Sequence, residues 1–288
     1  MTARAVLYTA MALVAFAANS VLCRVALRSG ASDPWTFSAV RLVCGALVLL
    51  PLARTLEGRG VREGSWTSAA ALCVYAVGFS LAYLSLDAGT GALILFGAVQ
   101  ATMIGAGIAL GERPGWRQGA GLIAAAAGLI TLVSPGIAAP RPPGALLMGA
   151  AGVAWGLYSL RGRGQRRPIA STAGNFLRAA PPALALWALA MLASARGHAT
   201  WTGLLLAAAS GALTSGLGYV VWYAALRELS ASTAGVVQLA VPALAAVGGV
   251  LFLGEQPTPR LALSGALILG GVALAVTSRR ALRSGERP

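Results

Sequence analysis

Long apolar stretches separated by short polar connections make up almost the whole chain. Ten stretches come close to the roughly 20 apolar residues that a membrane-spanning helix needs. The pattern therefore predicts an all-α membrane protein with ten transmembrane helices. A cleaved signal peptide, with Arg4 as its charged region, is the alternative interpretation of the first stretch. The predicted spans are residues 4–27, 34–53, 65–86, 89–110, 116–134, 144–161, 169–193, 201–226, 231–253 and 260–278.

The turn motifs between the second five stretches are similar to those between the first five. Gly111-Glu112-Arg113-Pro114 and Gly254-Glu255-Gln256-Pro257 lie 143 residues apart, each between two apolar stretches. Because five crossings leave the chain on the opposite side of the membrane, a second five-helix copy is inserted upside down. We therefore expect two inverted five-helix repeats, residues 1–138 and 139–288, separated at the proline-rich link 140–143. Inverted repeats of this kind are common in secondary transporters.

Composition and charge agree with a membrane location. The chain is 57% hydrophobic and only 10% charged, whereas soluble domains carry about 25% charged residues. All 22 basic residues are Arg, and with the N-terminus inside, 15 fall in cytoplasmic connections and four in outer ones. Positive residues concentrate in cytoplasmic loops, which predicts a bacterial inner-membrane protein with both termini cytoplasmic. A nucleic-acid partner is the weaker explanation of the net charge of +14.

The residues that usually carry catalysis or metal binding are nearly absent. Cys23, Cys44 and Cys73 lie inside predicted spans without metal-ligand spacing, and His198 is the only histidine. The sequence therefore predicts no enzyme, no metal site and no cofactor. All eight acidic residues fall in connections or at span ends, so no carboxylate is placed mid-membrane to exchange protons or hold sodium. This disfavours conventional ion coupling.

Polar and aromatic residues inside the spans define a candidate substrate site. Polar side chains in a membrane usually face the bundle interior or a water-filled pathway. Tyr75, Phe79 and Tyr83 recur every four residues and share one helix face, and the eighth span has a comparable stripe. Such rings either line a central cavity, or pack the core, or form an aromatic belt at the membrane interface. The predicted contacts are Asn19, Tyr75, Phe79, Tyr83, Gln100, Trp155, Tyr158, Tyr219, Trp222 and Gln238.

Three further features have two interpretations each. Arg41 and Arg178 occupy the second span of each repeat. Either could neutralise a substrate carboxylate, or could only snorkel to the membrane surface or pair with backbone carbonyls. Gln238 precedes Pro242 by four residues, so its carbonyl lacks the usual helical donor. That arrangement predicts either a ligand-binding corner or a simple kink.

These motifs resemble the drug/metabolite transporter superfamily with two EamA-type repeats. Phe16-Ala17-Ala18-Asn19 followed by Arg24 is similar to the family's W-G-x-N opening and downstream basic residue, although Phe16 replaces the usual Trp. The segment from Tyr219 to Thr277 is most similar, with Pro242, the Leu253-Gly254-Glu255 turn and the glycine-rich closing helix. The resemblance implies a central cavity lined mainly by spans 1, 3, 4, 6, 8 and 9, with spans 5 and 10 peripheral.

The resemblance implies an exporter of small amphipathic metabolites that works by alternating access. The aromatic-rich interior looks most like that of exporters of aromatic and other amino acids. Export of another small metabolite or drug-like compound, a channel-like facilitator and a structural membrane protein are the alternatives. The predicted partners are the lipid bilayer and a small-molecule substrate, and the oligomeric state is left open.

Overall fold

The structure, a computed structural model, describes residues 2–58, 63–111, 115–134, 139–162, 165–194, 197–229, 234 and 237–284. The predicted turn residues 112–114 lie outside this part of the chain. Within it the protein is helical, and the only β contact is an isolated bridge between Ser32 and Ala199. The helices are α1 (Ala3–Arg28), α2 (Pro34–Glu57), α3 (Trp66–Ala82), α4 (Ala88–Ala109), α5 (Trp116–Val133), α6 (Pro142–Gly162), α7 (Pro168–Ser194), α8 (Trp201–Leu226), α9 (Ala240–Leu253) and α10 (Pro259–Ser284).

Seven of these helices are long and apolar enough to cross a membrane, as judged over the described residues. The apolar segments of α3, α9 and α10 are shorter, at Trp66–Ala82, Ala240–Leu253 and Pro259–Ala275. A 17-residue helix such as α3 rises about 25 Å, less than the hydrocarbon core of about 30 Å. Each predicted span overlaps one helix, but the number of crossings and the inverted relation of the two halves stay predictions.

Local sequence sets where the helices begin. Asp33 caps α2, because its Oδ1 accepts hydrogen bonds from the backbone N–H groups of Trp35 and Thr36, each at 2.9 Å. Pro34 is the first helical residue, where its missing N–H is not needed. The helix α2 thus begins at the same residue as the predicted span 34–53. Thr200 caps α8 in the same way by accepting from the N–H of Gly203 at 3.1 Å.

The two halves of the chain share one core. The most extensive helix contacts join α5 to α10, α1 and α2 to α8, α2 to α7, and α3 and α4 to α6. Buried side chains from both halves belong to one hydrophobic cluster. In contrast, many outward side chains are large and apolar, including Leu110, Leu192 and Trp201, which are more than 80% exposed. An apolar outer surface of this extent suits lipid rather than water.

The pair α5 and α10 is held by direct backbone contact at two glycines. A Cβ on Gly271 would lie 2.5 Å from the backbone oxygen of Gly121 and 2.6 Å from the backbone nitrogen of Ala125. Both distances are shorter than real Cβ contacts. The neighbouring Gly270 is different, because a Cβ there would meet nothing within 4 Å.

We expect Gly271→Ala to lower the free energy of unfolding by about 1–3 kcal/mol, because the added methyl forces α5 and α10 apart. Gly270→Ala is the matched control and should be neutral or stabilising by up to about 1 kcal/mol, since alanine favours the helix. Thermal and denaturant unfolding of the purified protein in detergent measures both. Equal effects of the two substitutions would contradict the close contact.

Candidate functional site

Aromatic rings from five helices form one continuous group inside the bundle. We call this group the aromatic cluster. Trp155 is at its centre: its ring centroid lies 4.8 Å from that of Tyr75 and 5.3 Å from that of Tyr219, on which it stacks. Its members are Phe16, Tyr75, Phe79, Tyr83, Trp155, Tyr158, Phe176, Tyr219 and Trp222.

The predicted stripe on the third span belongs to this cluster. Tyr75 contacts Phe79 at 5.5 Å between ring centroids, and Phe79 contacts Tyr83 edge-on at 4.7 Å. All three side chains are buried. Trp66, Trp116 and Trp201, in contrast, are 67–81% exposed near helix ends. Their exposure is typical of an aromatic belt, whereas the stripe lies inside the protein.

A polar network adjoins the aromatic cluster and links α1, α2, α3 and α8. The hydroxyl of Tyr75 accepts a hydrogen bond from Nη2 of Arg41 at 2.9 Å and one from Nδ2 of Asn19 at 3.4 Å. Nε of Arg41 donates to Oγ of Ser215 at 3.3 Å. The side-chain oxygen of Asn19 accepts from the hydroxyls of Ser210 at 2.6 Å and Thr214 at 3.2 Å. We call this set the central polar network.

The shape of α8 brings its hydroxyls to this place. Residues Ser210–Leu217 adopt π-helical turns, which carry Ser210, Thr214 and Ser215. Such turns are rare and often occur at functional sites. Gly211 lies against α2, and a Cβ there would come within 2.9 Å of the Cα and carbonyl carbon of Arg41. The apolar pattern of residues 201–226 predicts a single helix and contains no sign of these turns.

Arg41 is the residue that the structure adds to the predicted site. Its side chain is among the largest that are fully buried, at 1% exposure. Its guanidinium carbon lies 5.0 Å from the ring centroid of Tyr75 and 5.1 Å from that of Phe79, within cation–π range. Nη1 is buried and has no hydrogen-bond partner among the described residues. In that part of the chain the ion pairs are those of Arg24, so Arg41 has no paired carboxylate there.

Arg178, the counterpart of Arg41 in the second half, is bound differently. Its Nη1 donates to the backbone oxygen of Glu63 at 2.6 Å and to that of Gly174 at 3.0 Å. Pairing with backbone carbonyls is one of the two interpretations that the sequence allows for both arginines. It describes Arg178 and does not describe Arg41.

The remaining predicted residues differ in how they relate to this centre. Tyr158 stacks on Trp155 at 5.2 Å and donates a long hydrogen bond of 3.5 Å to Thr172. Gln100 is buried on α4, and Gln238 is half-buried before α9. Among the described residues, no hydrogen bond joins either glutamine to the aromatic cluster or to the central polar network. Asn19 and the seven predicted aromatic residues are therefore the members that the structure brings together.

A second charged group closes the end of the bundle where α1 finishes. Arg24 donates from Nε to Oε1 of Glu255 at 3.2 Å, from Nη2 to Oδ1 of Asp87 at 3.1 Å, and from Nη1 to the backbone oxygen of Tyr83 at 2.8 Å. Oε2 of Glu255 accepts from the N–H of Ala88, the first residue of α4, at 2.8 Å. Burial raises the pKa of the Glu255 carboxyl, and the Ala88 N–H and the Arg24 guanidinium oppose that shift. We call this group the Arg24 cluster.

Among the described residues there is no group of three or more histidine, cysteine, aspartate or glutamate side chains that could hold a metal ion. The three cysteines are free. The side chains that surround the site are instead a guanidinium, amides, hydroxyls and aromatic rings. This chemistry suits non-covalent binding of a small organic molecule.

Removing the hydroxyl of Tyr75 should weaken the central polar network. Tyr75→Phe leaves Arg41 Nη2 and Asn19 Nδ2 without their shared acceptor, so we expect a loss of about 1–3 kcal/mol in the free energy of unfolding. Tyr158→Phe is the control, because its hydroxyl makes a long hydrogen bond of 3.5 Å to Thr172 and lies outside the central polar network. Unfolding of both variants in detergent tests this, and equal stabilities would contradict the central place of Tyr75.

The two acidic partners of Arg24 should contribute very unequally to stability. The side chain of Glu255 is 7% exposed, whereas that of Asp87 is 54% exposed. Glu255→Ala breaks a buried pair, which costs about 3–5 kcal/mol, while an exposed pair such as that of Asp87 contributes about 0–1 kcal/mol. Unfolding of the two variants in detergent should therefore show a larger loss of stability for Glu255→Ala than for Asp87→Ala. The reverse order would show that burial does not decide how much each partner of Arg24 contributes.

Comparison with known proteins agrees with this description. The EamA-like transporter family matches residues 3–134 and 142–277. The chain is 50% identical over 286 residues to an uncharacterised protein of Pseudomonas aeruginosa, with 98% of both chains covered. It is 29% identical over 214 residues to a probable terminal-alkyne amino-acid exporter of Streptantibioticus cattleyicolor, which covers 72% of this chain and 70% of that protein.

Two further matches are more distant. The threonine/homoserine exporter RhtA of Escherichia coli is 31% identical over 140 residues, which are 47% of this chain and 46% of RhtA. A crystal structure of a protein aligns with a TM-score of 0.64 and 23% identity over 94% of this chain and 99% of its own, which shows a shared fold. The family and the two exporters are transporters, in agreement with a role that is not enzymatic. The chain belongs to the EamA-like transporter family of the drug/metabolite transporter superfamily.

Proposed function

We propose that this protein is an inner-membrane transporter that exports small amphipathic metabolites, with amino acids as the main class. The observation that carries the proposal is the buried site itself. Aromatic rings and uncharged polar groups meet an arginine in the interior of a bundle whose outer surface is apolar. Polar and charged groups are costly in a membrane and usually mark a substrate pathway.

The amino-acid class is supported by two relatives and by the chemistry of the site. One relative is a probable terminal-alkyne amino-acid exporter, and another exports threonine and homoserine. An amino acid combines charged groups with a side chain that is often apolar. The aromatic cluster would contact the apolar part broadly, and the amide of Asn19 and the hydroxyls of α8 would orient the polar part. Selectivity among side chains should therefore be loose.

We propose ten crossings, in two inverted halves at residues 1–138 and 139–288, with both termini cytoplasmic. The pattern of contacts between helix ends supports an up-and-down path. Contacts at the end where α1 finishes join Asp33 to His198, Arg28 to Leu253 and Arg260 to Ser134. Contacts at the other end join Thr2 to Glu228, Glu57 to Ala170 and Arg161 to Ser68. The arginine-rich connections fall at this second end, which would be cytoplasmic.

The two ends also suggest how access to the site would alternate. At the outer end, the Arg24 cluster ties α1 to the start of α4 and to the segment after α9. At the inner end, Asn175 and Arg178 of α7 bind the segment before α3 through Ser65 and Glu63. Rocking of the halves would break one set of contacts while the other holds, so that the site opens to one side at a time.

Counterflow in proteoliposomes tests the transport proposal. Proteoliposomes that contain the purified protein are loaded with unlabelled L-threonine or L-phenylalanine. The internal amino acid should accelerate entry of the same amino acid in labelled form. Trans-stimulation of this kind is expected of a carrier and is absent from a channel-like facilitator. Equal fluxes with and without internal substrate would favour the facilitator, and no flux of any metabolite would favour a structural protein.

Trp155→Ala should reduce counterflow by about tenfold. Trp155 is at the centre of the aromatic cluster. Loss of one aromatic contact with the substrate costs about 0.5–1.5 kcal/mol, and about 1.4 kcal/mol corresponds to a factor of ten. Trp116→Ala is the matched control, because that side chain is 77% exposed on α5. Gln238→Ala tests the remaining predicted corner in the same assay. If Trp155→Ala and Gln238→Ala both transport at the wild-type rate in folded protein, the proposed site is wrong.

A further inference from the structure

The buried guanidinium of Arg41 has a nitrogen, Nη1, that no other described residue contacts by a hydrogen bond. We propose that Nη1 of Arg41 binds the carboxylate of the transported molecule, so that the site selects substrates that carry a carboxylate. This inference rests on the transport function proposed above and adds the charge that the substrate must have. It concerns a residue that the sequence patterns alone do not single out as a ligand.

The first step of the argument is the cost of the charge. A guanidinium inside a membrane protein is stable only if its charge and its N–H groups are compensated. Arg41 is 1% exposed, and none of the described carboxylates forms an ion pair with it. Its protein partners are the neutral hydroxyls of Tyr75 and Ser215 and the faces of two aromatic rings. These groups orient the charge and leave it without a counter-ion.

The second step is geometric. Nε and Nη2 are each held by one hydroxyl, and the guanidinium carbon lies over the rings of Tyr75 and Phe79. Nη1 is left with both of its hydrogens unbound in the described structure. A guanidinium has five N–H donors in a rigid fork that matches a carboxylate. One hydrogen of Nη1 and one of Nη2 point the same way, so the Nη1–Nη2 end of the guanidinium is a pre-oriented edge that one carboxylate group fits.

The third step concerns the rest of the ligand. Tyr75 connects the two parts of the site, because its hydroxyl binds Arg41 while its ring packs against Trp155. A carboxylate on Arg41 would place an attached apolar group near the aromatic cluster. For a substrate ammonium, the nearby groups are the aromatic faces and the oxygens of Asn19, Ser210 and Thr214. The carboxylate is thus the part of an amino acid that meets an opposite charge.

Arg178 shows why this inference applies to one arginine only. It lies in the matching helix of the second half, but its Nη1 already donates to two backbone oxygens, those of Glu63 and Gly174. It is a part of the contacts at the inner helix ends. Arg178 therefore serves as the matched control for substitutions of Arg41.

The first test uses the unmodified protein and needs no variant to fold. Proteoliposomes with the wild-type protein are loaded with L-phenylalanine, L-phenylalaninamide, phenethylamine or 3-phenylpropionate. Entry of labelled L-phenylalanine is then measured. We expect L-phenylalanine and 3-phenylpropionate to exchange, and the amide and the amine to be at least about tenfold weaker, because each lacks the charged acceptor. If the amide and the amine exchange as well as L-phenylalanine does, the carboxylate inference is overturned and the transport function stays intact. If none of the four compounds exchanges, the proposed amino-acid transport itself fails.

The second test uses Arg41→Lys, Arg41→Gln and Arg178→Lys. Arg41→Lys keeps the charge but loses the planar fork, so binding of L-phenylalanine should weaken about tenfold or more, measured by titration calorimetry in detergent. Arg41→Gln should also lose the preference for the acid over the amide, a readout that a merely structural role would not change. Arg178→Lys alters a contact at the inner helix ends and not the site, so it should keep the wild-type preference for the acid over the amide. Wild-type selectivity in a folded Arg41→Gln protein would overturn the proposal.

Discussion

The positive charge of Arg41 is the constraint around which the interior of this protein is arranged. It is fully buried in a bundle with an apolar outer surface, where an unpaired charge is expensive. Two aromatic faces and two hydroxyls surround it, and none of the residues that the structure describes accepts a hydrogen bond from Nη1. A site that is complete only when an anionic group enters it is well suited to bind and release a small acid.

The structure satisfies its other charges in a different way. Arg24 pairs with Asp87 and Glu255 near a helix end, and Arg178 binds backbone oxygens near the opposite end. The charges of Arg24 and Arg178 thus join helices together, while that of Arg41 has no such partner among the described residues. This division separates contacts that would open and close the bundle from the contact that would hold the substrate. It also explains why two arginines in matching helices have different roles.

The site depends on close approach of α2 and α8. Gly211 lets the backbone of α8 lie against Arg41, and the π-helical turns at Ser210–Leu217 present three hydroxyls to Arg41 and Asn19. Tyr75 then couples the polar part to the aromatic part, since its hydroxyl and its ring contact different partners. A shift of α8 would therefore move the Ser215 hydroxyl, which accepts from Arg41, together with the ring of Tyr219.

The sequence by itself determined the class of the protein and most of its helices, because a helix that crosses lipid needs a long apolar segment. It also identified most of the aromatic cluster, since four-residue spacing puts Tyr75, Phe79 and Tyr83 on one helix face. Only the tertiary structure separated Arg41 from Arg178, which the sequence treats alike. The reason is physical: whether a buried arginine is compensated depends on atoms from distant helices, such as Ser215 and the backbone of Glu63, and no local pattern records them.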